Sequence, residues 1–230
     1  MSINSFQDEI GVRFNNQSLL KEALTHRSYL NEDPDWKIPH NERLEFLGDA
    51  VLELAVTRYL FSKYPKSEEG ELTLMRAALV NTKILASISE EIGLREHLLV
   101  SKGESVSVPK AMETILADGF EALLGAIYLD RGFEEAERFV GERVISHIED
   151  VKKKGIKDPK SELQEESQAR FKVTPIYQIL DEKGPEHDKT FRAGAYIEDR
   201  MIAEGTGTSK QEAETDAAKR ALEIIAVENK

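Results

Sequence analysis

The sequence contains no cysteine, which excludes disulfides and thiolate metal sites and makes a reducing compartment the simple expectation. Long hydrophobic runs are missing too. The longest, such as Ala122 to Leu129, fall far short of the roughly 20 residues that a membrane-spanning helix needs. The N-terminal MSINSFQDEI has neither the basic region nor the apolar core of a secretory signal. A cytoplasmic protein with no membrane partner is expected. Histidine is scarce: the five are His26, His40, His97, His147 and His187. None has a Glu three positions before it, so the Glu-x-x-His repeat of di-iron bundles is absent. His-Glu-x-x-His is absent as well.

Positive net charge is also lacking, the formal balance being −12. The deficit is uneven. Residues 1–150 carry 16 Lys+Arg against 27 Asp+Glu, whereas residues 151–230 carry 15 against 16. An acidic region repels a polyanion unless cations or a tethered partner bring it in. Nucleic acid is therefore not excluded, but it requires a local basic face or a metal. With 40% hydrophobic and 32% charged residues, the chain is ordinary for a globular protein.

The first 150 residues read as helical. Leu19, Leu20, Ala23 and Leu24 have helical spacing within Gln17 to His26, and the Pro34/Pro39 stretch from Asn31 to His40 reads as a loop. Asn41 is a candidate cap for a long helix to about Phe61. Further helices are expected from near Leu72, over Met112 to Asp130 and over Glu134 to Ile148. Residues 151–157, basic and containing Gly155, suit an exposed linker. From Asp158-Pro159 the pattern changes. It gives a helix ending before Pro175, a strand from Ile176 to Leu180, and a strand with Phe191, Ala193, Ala195 and Ile197 at period two. A short third strand around Met201 to Glu204 and a last helix opened by Ser209-Lys-Gln-Glu212 complete it. The expected fold is thus an all-α N-terminal domain (1–150), a linker (151–157) and a small α+β domain of order α-β-β-β-α (158–227).

Two segments set acids inside otherwise apolar helices. Glu45 and Asp49, four apart, share one helix face; Asp118 and Glu121, three apart, share another. Burying unpaired carboxylates costs several kcal/mol by the usual order of magnitude, and a divalent cation relieves it. Oxygen-only ligands suit Mg²⁺ or Mn²⁺. With 43 acidic residues in the chain, such pairs also arise by chance on solvated faces. The settings argue otherwise: Gly48 lies beside Asp49 and Gly119 beside Asp118, in apolar runs where close helix or ligand approach offsets the cost of glycine.

Asn41-Glu-Arg-Leu-Glu-Phe-Leu-Gly-Asp49 resembles, without a gap, the signature segment of the ribonuclease III family. Ile115-Leu-Ala-Asp118-Gly-Phe-Glu121-Ala-Leu-Leu-Gly is similar to its second acidic segment. Ala23 to Tyr29 and Glu69-Gly-Glu-Leu with Met75-Arg76 match two further regions. The resemblance implies a homodimeric, Mg²⁺-dependent endoribonuclease, with Mn²⁺ as a substitute. It would hydrolyse double-stranded RNA, including rRNA and mRNA precursors, to 5′-phosphate and 3′-hydroxyl ends. It implies Glu45, Asp118 and Glu121 as metal ligands and Asp49 and Glu121 as catalytic residues. Glu42 would stand just behind the ligands, where an exposed acid near a helix N-terminus is an equal alternative, and Glu69 near the subunit boundary. Phe46, Leu47 and Val51 could serve the dimer or the domain's own core.

Residues 158–227 resemble the double-stranded-RNA-binding domain. The resemblance implies that Ser161, Gln164 and Gln168 reach 2′-hydroxyls in one minor groove and His187, in Gly184-Pro-Glu-His187, the next. Ser209 and Lys210 would meet phosphates across the intervening major groove, reading A-form shape rather than sequence. Gln211 and Glu212 depart from the family, which usually has a second basic residue after Lys210. Two other readings stand beside the endonuclease: a catalytically idle RNA binder, which predicts loss of at least one acid, and an all-α hydrolase of small phosphorylated molecules, which leaves the C-terminal pattern unexplained.

Overall fold

The computed structural model describes residues 3–105, 109–154, 159–184 and 189–227. The chain divides into two compact units, Met1–Ile156 and Lys157–Lys230.

The first unit begins with α1 (Ile3–Ile10), α2 (Gln17–Ala23) and a 3-10 turn (Arg27–Asn31), followed by α3 (Glu42–Lys63), α4 (Glu69–Leu79) and α5 (Thr82–Glu91). After a 3-10 turn at Leu94–Glu96 come the short α6 (Lys102–Ser105), α7 (Pro109–Arg131), α8 (Phe133–Arg143), a turn at Ile145–His147, and α9 (Ile148–Lys154). The centre is α7. From Leu116 to Ile127 only Asp118 and Glu121 escape full burial, as expected of a helix surrounded by others. Helices α2, α3, α5 and α8 pack around it.

Several details differ from the sequence expectation. Helix α2 stops at Ala23 because the following residues find tertiary partners: Leu99 N–H donates to Leu24 O (2.8 Å) and His26 N–H to Leu99 O (2.9 Å). Asn41 occupies the cap position of α3 but makes no side-chain cap. It is buried, and its Nδ2 donates to Ala23 O at 3.3 Å while its N–H donates to Thr25 O. Finally, helical packing continues into the stretch read as a linker. Val151 extends the apolar row of Val144, Ile145 and Ile148 into the core, and Lys152 lies over the Tyr64 ring at 4.1 Å.

The second unit comprises α10 (Pro159–Phe171), β1 (Ile176–Lys183), β2 (Thr190–Ile197), β3 (Arg200–Gly207) and α11 (Lys210–Val227). The strands form an antiparallel sheet in the order β1-β2-β3. Strand β3 outlasts the expected Met201–Glu204 because its pairing continues until Gly207 lies opposite Phe191. One sheet face buries Ala193, Ala195, Ile197 and Ala203 beneath Ala217, Ala218, Ala221 and Ile225 of α11 and Leu163 of α10. The small side chains reflect close approach: a Cβ on Gly205 would lie 2.0 Å from the Ala217 nitrogen. Ser209 Oγ accepts from Glu212 N–H at 3.1 Å. The Glu212 carboxylate accepts from Thr208 N–H at 2.9 Å, so the capping box closes one residue early.

Candidate metal centre

Helix α3 carries Glu45 and Asp49, and α7 carries Asp118 and Glu121. Two glycines bring these helices into backbone contact. A Cβ on Gly48 would fall 1.7 Å from Glu121 O, and one on Gly125 would fall 2.2 Å from Leu44 O. Glu45 lies one turn before the first contact and Glu121 one turn before the second, so the crossing sets their side chains against each other. One oxygen each from Glu45, Asp118 and Glu121 lies within 4.8 Å of the others, and all three residues are half-buried. Asp49, one turn on from Glu45, is exposed and stands outside that trio.

Electrostatically the cluster is unbalanced. Among the described residues, no Lys, Arg or His forms an ion pair with any of these four acids. Burial pushes the Glu121 carboxyl up to about 8, with Asp49, Asp118 and Glu45 adding to the rise. Burial, then the charges of Asp118, Glu42 and Asp49, raises Glu45; burial and then Glu42 raises Asp118. Burial and mutual repulsion thus favour the neutral form of these three carboxyls, and no neighbouring cation opposes it. The donor set is all oxygen and closely spaced, which fits a hard divalent cation and not one that prefers sulfur or imidazole.

The remaining expected residues are more scattered. Glu42, in the first turn of α3, pairs with Arg27 (Nη1–Oε1, 3.1 Å) and adds its charge beside Asp118 and Glu45. Glu69 opens α4, accepts from Thr73 Oγ1 at 3.2 Å, and lines a cavity of about 420 Å³ with Leu60, Phe61, Leu72 and Arg76. It is not part of the acidic trio. Val51 belongs to the core and Leu47 packs partly against it, whereas Phe46 is 82% exposed. In the second unit, Ser161, Gln164 and Gln168 lie on the exposed face of α10, and Lys210 is exposed at the start of α11. Ser209 uses its oxygen to cap that helix. His187 lies outside the described residues.

Sequence reasoning missed Gly125 and Arg27. The spacing Glu121-x-x-x-Gly125, set beside Glu45-x-x-Gly48, was the available signal for the first. Gly119, singled out instead, meets only the flexible ends of Leu98 and Leu94.

Fold and site together define a two-unit protein: a helical unit with an all-carboxylate centre suited to a hard cation, and an α-β-β-β-α unit. The sequence profile of the Ribonuclease-III-like family matches residues 16–148, and that of the double-stranded RNA binding motif matches residues 159–225. The chain is 45% identical over 219 residues to Ribonuclease 3 of Leptospira interrogans, covering 95% of this chain and 88% of that protein. It is 41% identical over 232 residues to Ribonuclease 3 of Syntrophobacter fumaroxidans, covering 99% and 96%. The crystal structure of the ribonuclease III nuclease domain from Campylobacter jejuni superposes with a TM-score of 0.57 at 40% identity. It covers 64% of this chain and 95% of that one. A related structure of that domain (TM-score 0.57) concerns flexibility in a region involved in dimer formation. The chain belongs to the ribonuclease III family.

Proposed function

We propose that this protein is a divalent-cation-dependent endoribonuclease of double-stranded RNA, acting in the cytoplasm on duplex regions of rRNA and mRNA precursors. The observation that carries the reading is the half-buried Glu45–Asp118–Glu121 trio, in a chain whose other unit matches a double-stranded-RNA-binding motif. Glu45, Asp118 and Glu121 would hold Mg²⁺, or Mn²⁺ in its place. When bound, the ion supplies Lewis acidity toward a phosphoryl oxygen and lowers the pKa of water.

The protein's own groups do the rest. Glu121, whose burial favours the protonated form, would release that proton to solvent on holding a cation. Asp49, exposed at the edge of the trio, orients the water that attacks phosphorus. The water oxygen bonds to phosphorus as the phosphorus–O3′ bond breaks, and a proton from solvent passes to O3′, leaving a 3′-hydroxyl and a 5′-phosphate. Ser161, Gln164, Gln168, His187, Ser209 and Lys210 grip the duplex through its shape and phosphates.

One trio serves one strand, and a second copy related by a dyad supplies the other. Phe46, Leu54 and Phe61 of α3, which are 82%, 51% and 73% exposed, form an apolar face fitted to that homodimer.

The test sets wild type beside Glu121→Gln on labelled duplex RNA, reading cleavage and gel shift with Mg²⁺ or EDTA. Cleavage by wild type with Mg²⁺ alone, with both proteins shifting the RNA, is expected. Binding without cleavage by either protein would favour the idle binder.

A further inference from the structure

The acidic centre must receive a polyanion, and its own four carboxylates oppose that. A cation is already built into its rim. Arg27 opens the 3-10 turn Arg27–Asn31, and the chain beneath it is fixed on two sides. His26 N–H donates to Leu99 O at 2.9 Å and Ser101 N–H to Ser28 Oγ at 3.0 Å. Lys102 N–H donates to Glu32 Oε1 at 3.2 Å, and Asn41 N–H to Thr25 O at 2.9 Å. The turn is thereby pinned both to the segment before α7 and to the start of α3.

From this platform the Arg27 side chain, 71% exposed, reaches Glu42 Oε1 at 3.1 Å. Glu42 is close enough to Asp118 and Glu45 for its charge to act on both. The His40 ring also stands at this carboxylate, but its Nδ1 lies 3.7 Å from Glu42 Oε2, beyond hydrogen-bond reach.

We propose that Arg27 is a phosphate-binding residue of the nuclease site, exchanging its ion pair with Glu42 for a backbone phosphate of the duplex as the RNA docks. The inference rests on the endonuclease reading above. An exposed ion pair is worth only about 0–1 kcal/mol, so it yields readily to a phosphate, which a guanidinium grips through two parallel hydrogen bonds. The exchange also frees the Glu42 charge beside Asp118 at the moment the RNA arrives, which favours retention of a cation there.

The experiment uses the full chain and a labelled 30-base-pair RNA duplex. Cleavage by wild type, Arg27→Ala, Arg27→Lys and Glu42→Gln gives kcat and KM. Duplex affinity over a salt series is measured in the non-cleaving Glu121→Gln background, with and without Arg27→Ala. Arg27→Ala should raise KM about tenfold with kcat within about twofold, and should lower the log–log salt slope by roughly one phosphate contact. Arg27→Lys should keep the slope but recover only part of KM, and Glu42→Gln should leave the slope unchanged. A fall in kcat with KM and slope unchanged, matching Glu42→Gln, would show that Arg27 acts only through Glu42 and overturn the proposal. Failure of wild type to cleave would instead sink the endonuclease reading, and the salt slopes would still decide the Arg27 contact.

Discussion

The α-carbon of Gly48 faces the carbonyl oxygen of Glu121 so closely that a single added methyl group would lie 1.7 Å from it. The backbone itself blocks that space, so relief requires α3 and α7 to part and carry Glu45 away from Glu121. Gly48→Ala should cost about 3 kcal/mol, at the upper end of overpacking penalties, despite the better helix propensity of alanine. Gly119→Ala meets flexible leucine methyls at 3.2 Å and should stay within about 1 kcal/mol of wild type. Thermal melts of the two variants, with and without Mg²⁺, check this; equal melting temperatures would refute the glycine crossing as the feature that sets the site.

Glu121 makes the metal-free protein sensitive to pH. Its carboxyl sits at about 8 in the fold against an ordinary 4.5, so the folded state holds a proton that the unfolded chain has released. Stability from this source is fully present below about pH 4.5, falls as pH rises, and is gone above about pH 8. Partial exposure and screening reduce the loss to about 1–2 kcal/mol. Denaturant melts in EDTA should show wild type weakening between pH 5 and 8 more than Glu121→Gln does, with Mg²⁺ reversing the difference at pH 8. Parallel pH profiles for the two proteins would count against it.

How much of this was legible in the sequence depended on whether the signal was local. The acid pairs on α3 and α7 could be placed on shared faces because helical periodicity alone fixes them. That three of the four acids converge is a property of the crossing, and half of that crossing, Gly125, sits in a run of apolar residues that reads simply as core. Val151 was masked differently: three lysines follow it, and their charge outweighed the apolar spacing from Val144. Arg27 looked like one more exposed cation, because its partner lies 15 residues away across the Pro34/Pro39 loop.

Asn41 illustrates the same limit and is testable. As a simple helix cap it would be replaceable by Asp at little cost. In the structure it is a buried donor, its Nδ2 bonded to Ala23 O. Asn41→Asp removes that donor and places an acceptor, or a charge, against a carbonyl. The expected loss is about 2–3 kcal/mol, read as a lower midpoint in urea. A midpoint unchanged from wild type would restore the capping role.

Lys210 is exposed at the first position of α11, and its charge helps to hold the Glu182 carboxyl of β1 below the usual range, after the nearer Lys189. The next position, Gln211, is also exposed but neutral. A cation there would join Lys210 at a helix N-terminus, where backbone N–H groups already favour an anion. Gln211→Lys should tighten duplex RNA binding several-fold and steepen its salt dependence by roughly one phosphate contact. Lys210→Ala should do the opposite. Neither residue belongs to the carboxylate trio, so cleavage at saturating RNA should stay near wild type while KM moves. Gel shifts over a salt series, paired with steady-state cleavage, separate the two effects. If Gln211→Lys leaves both affinity and slope unchanged, the phosphate path does not run over the start of α11, and the duplex must be gripped elsewhere on this unit.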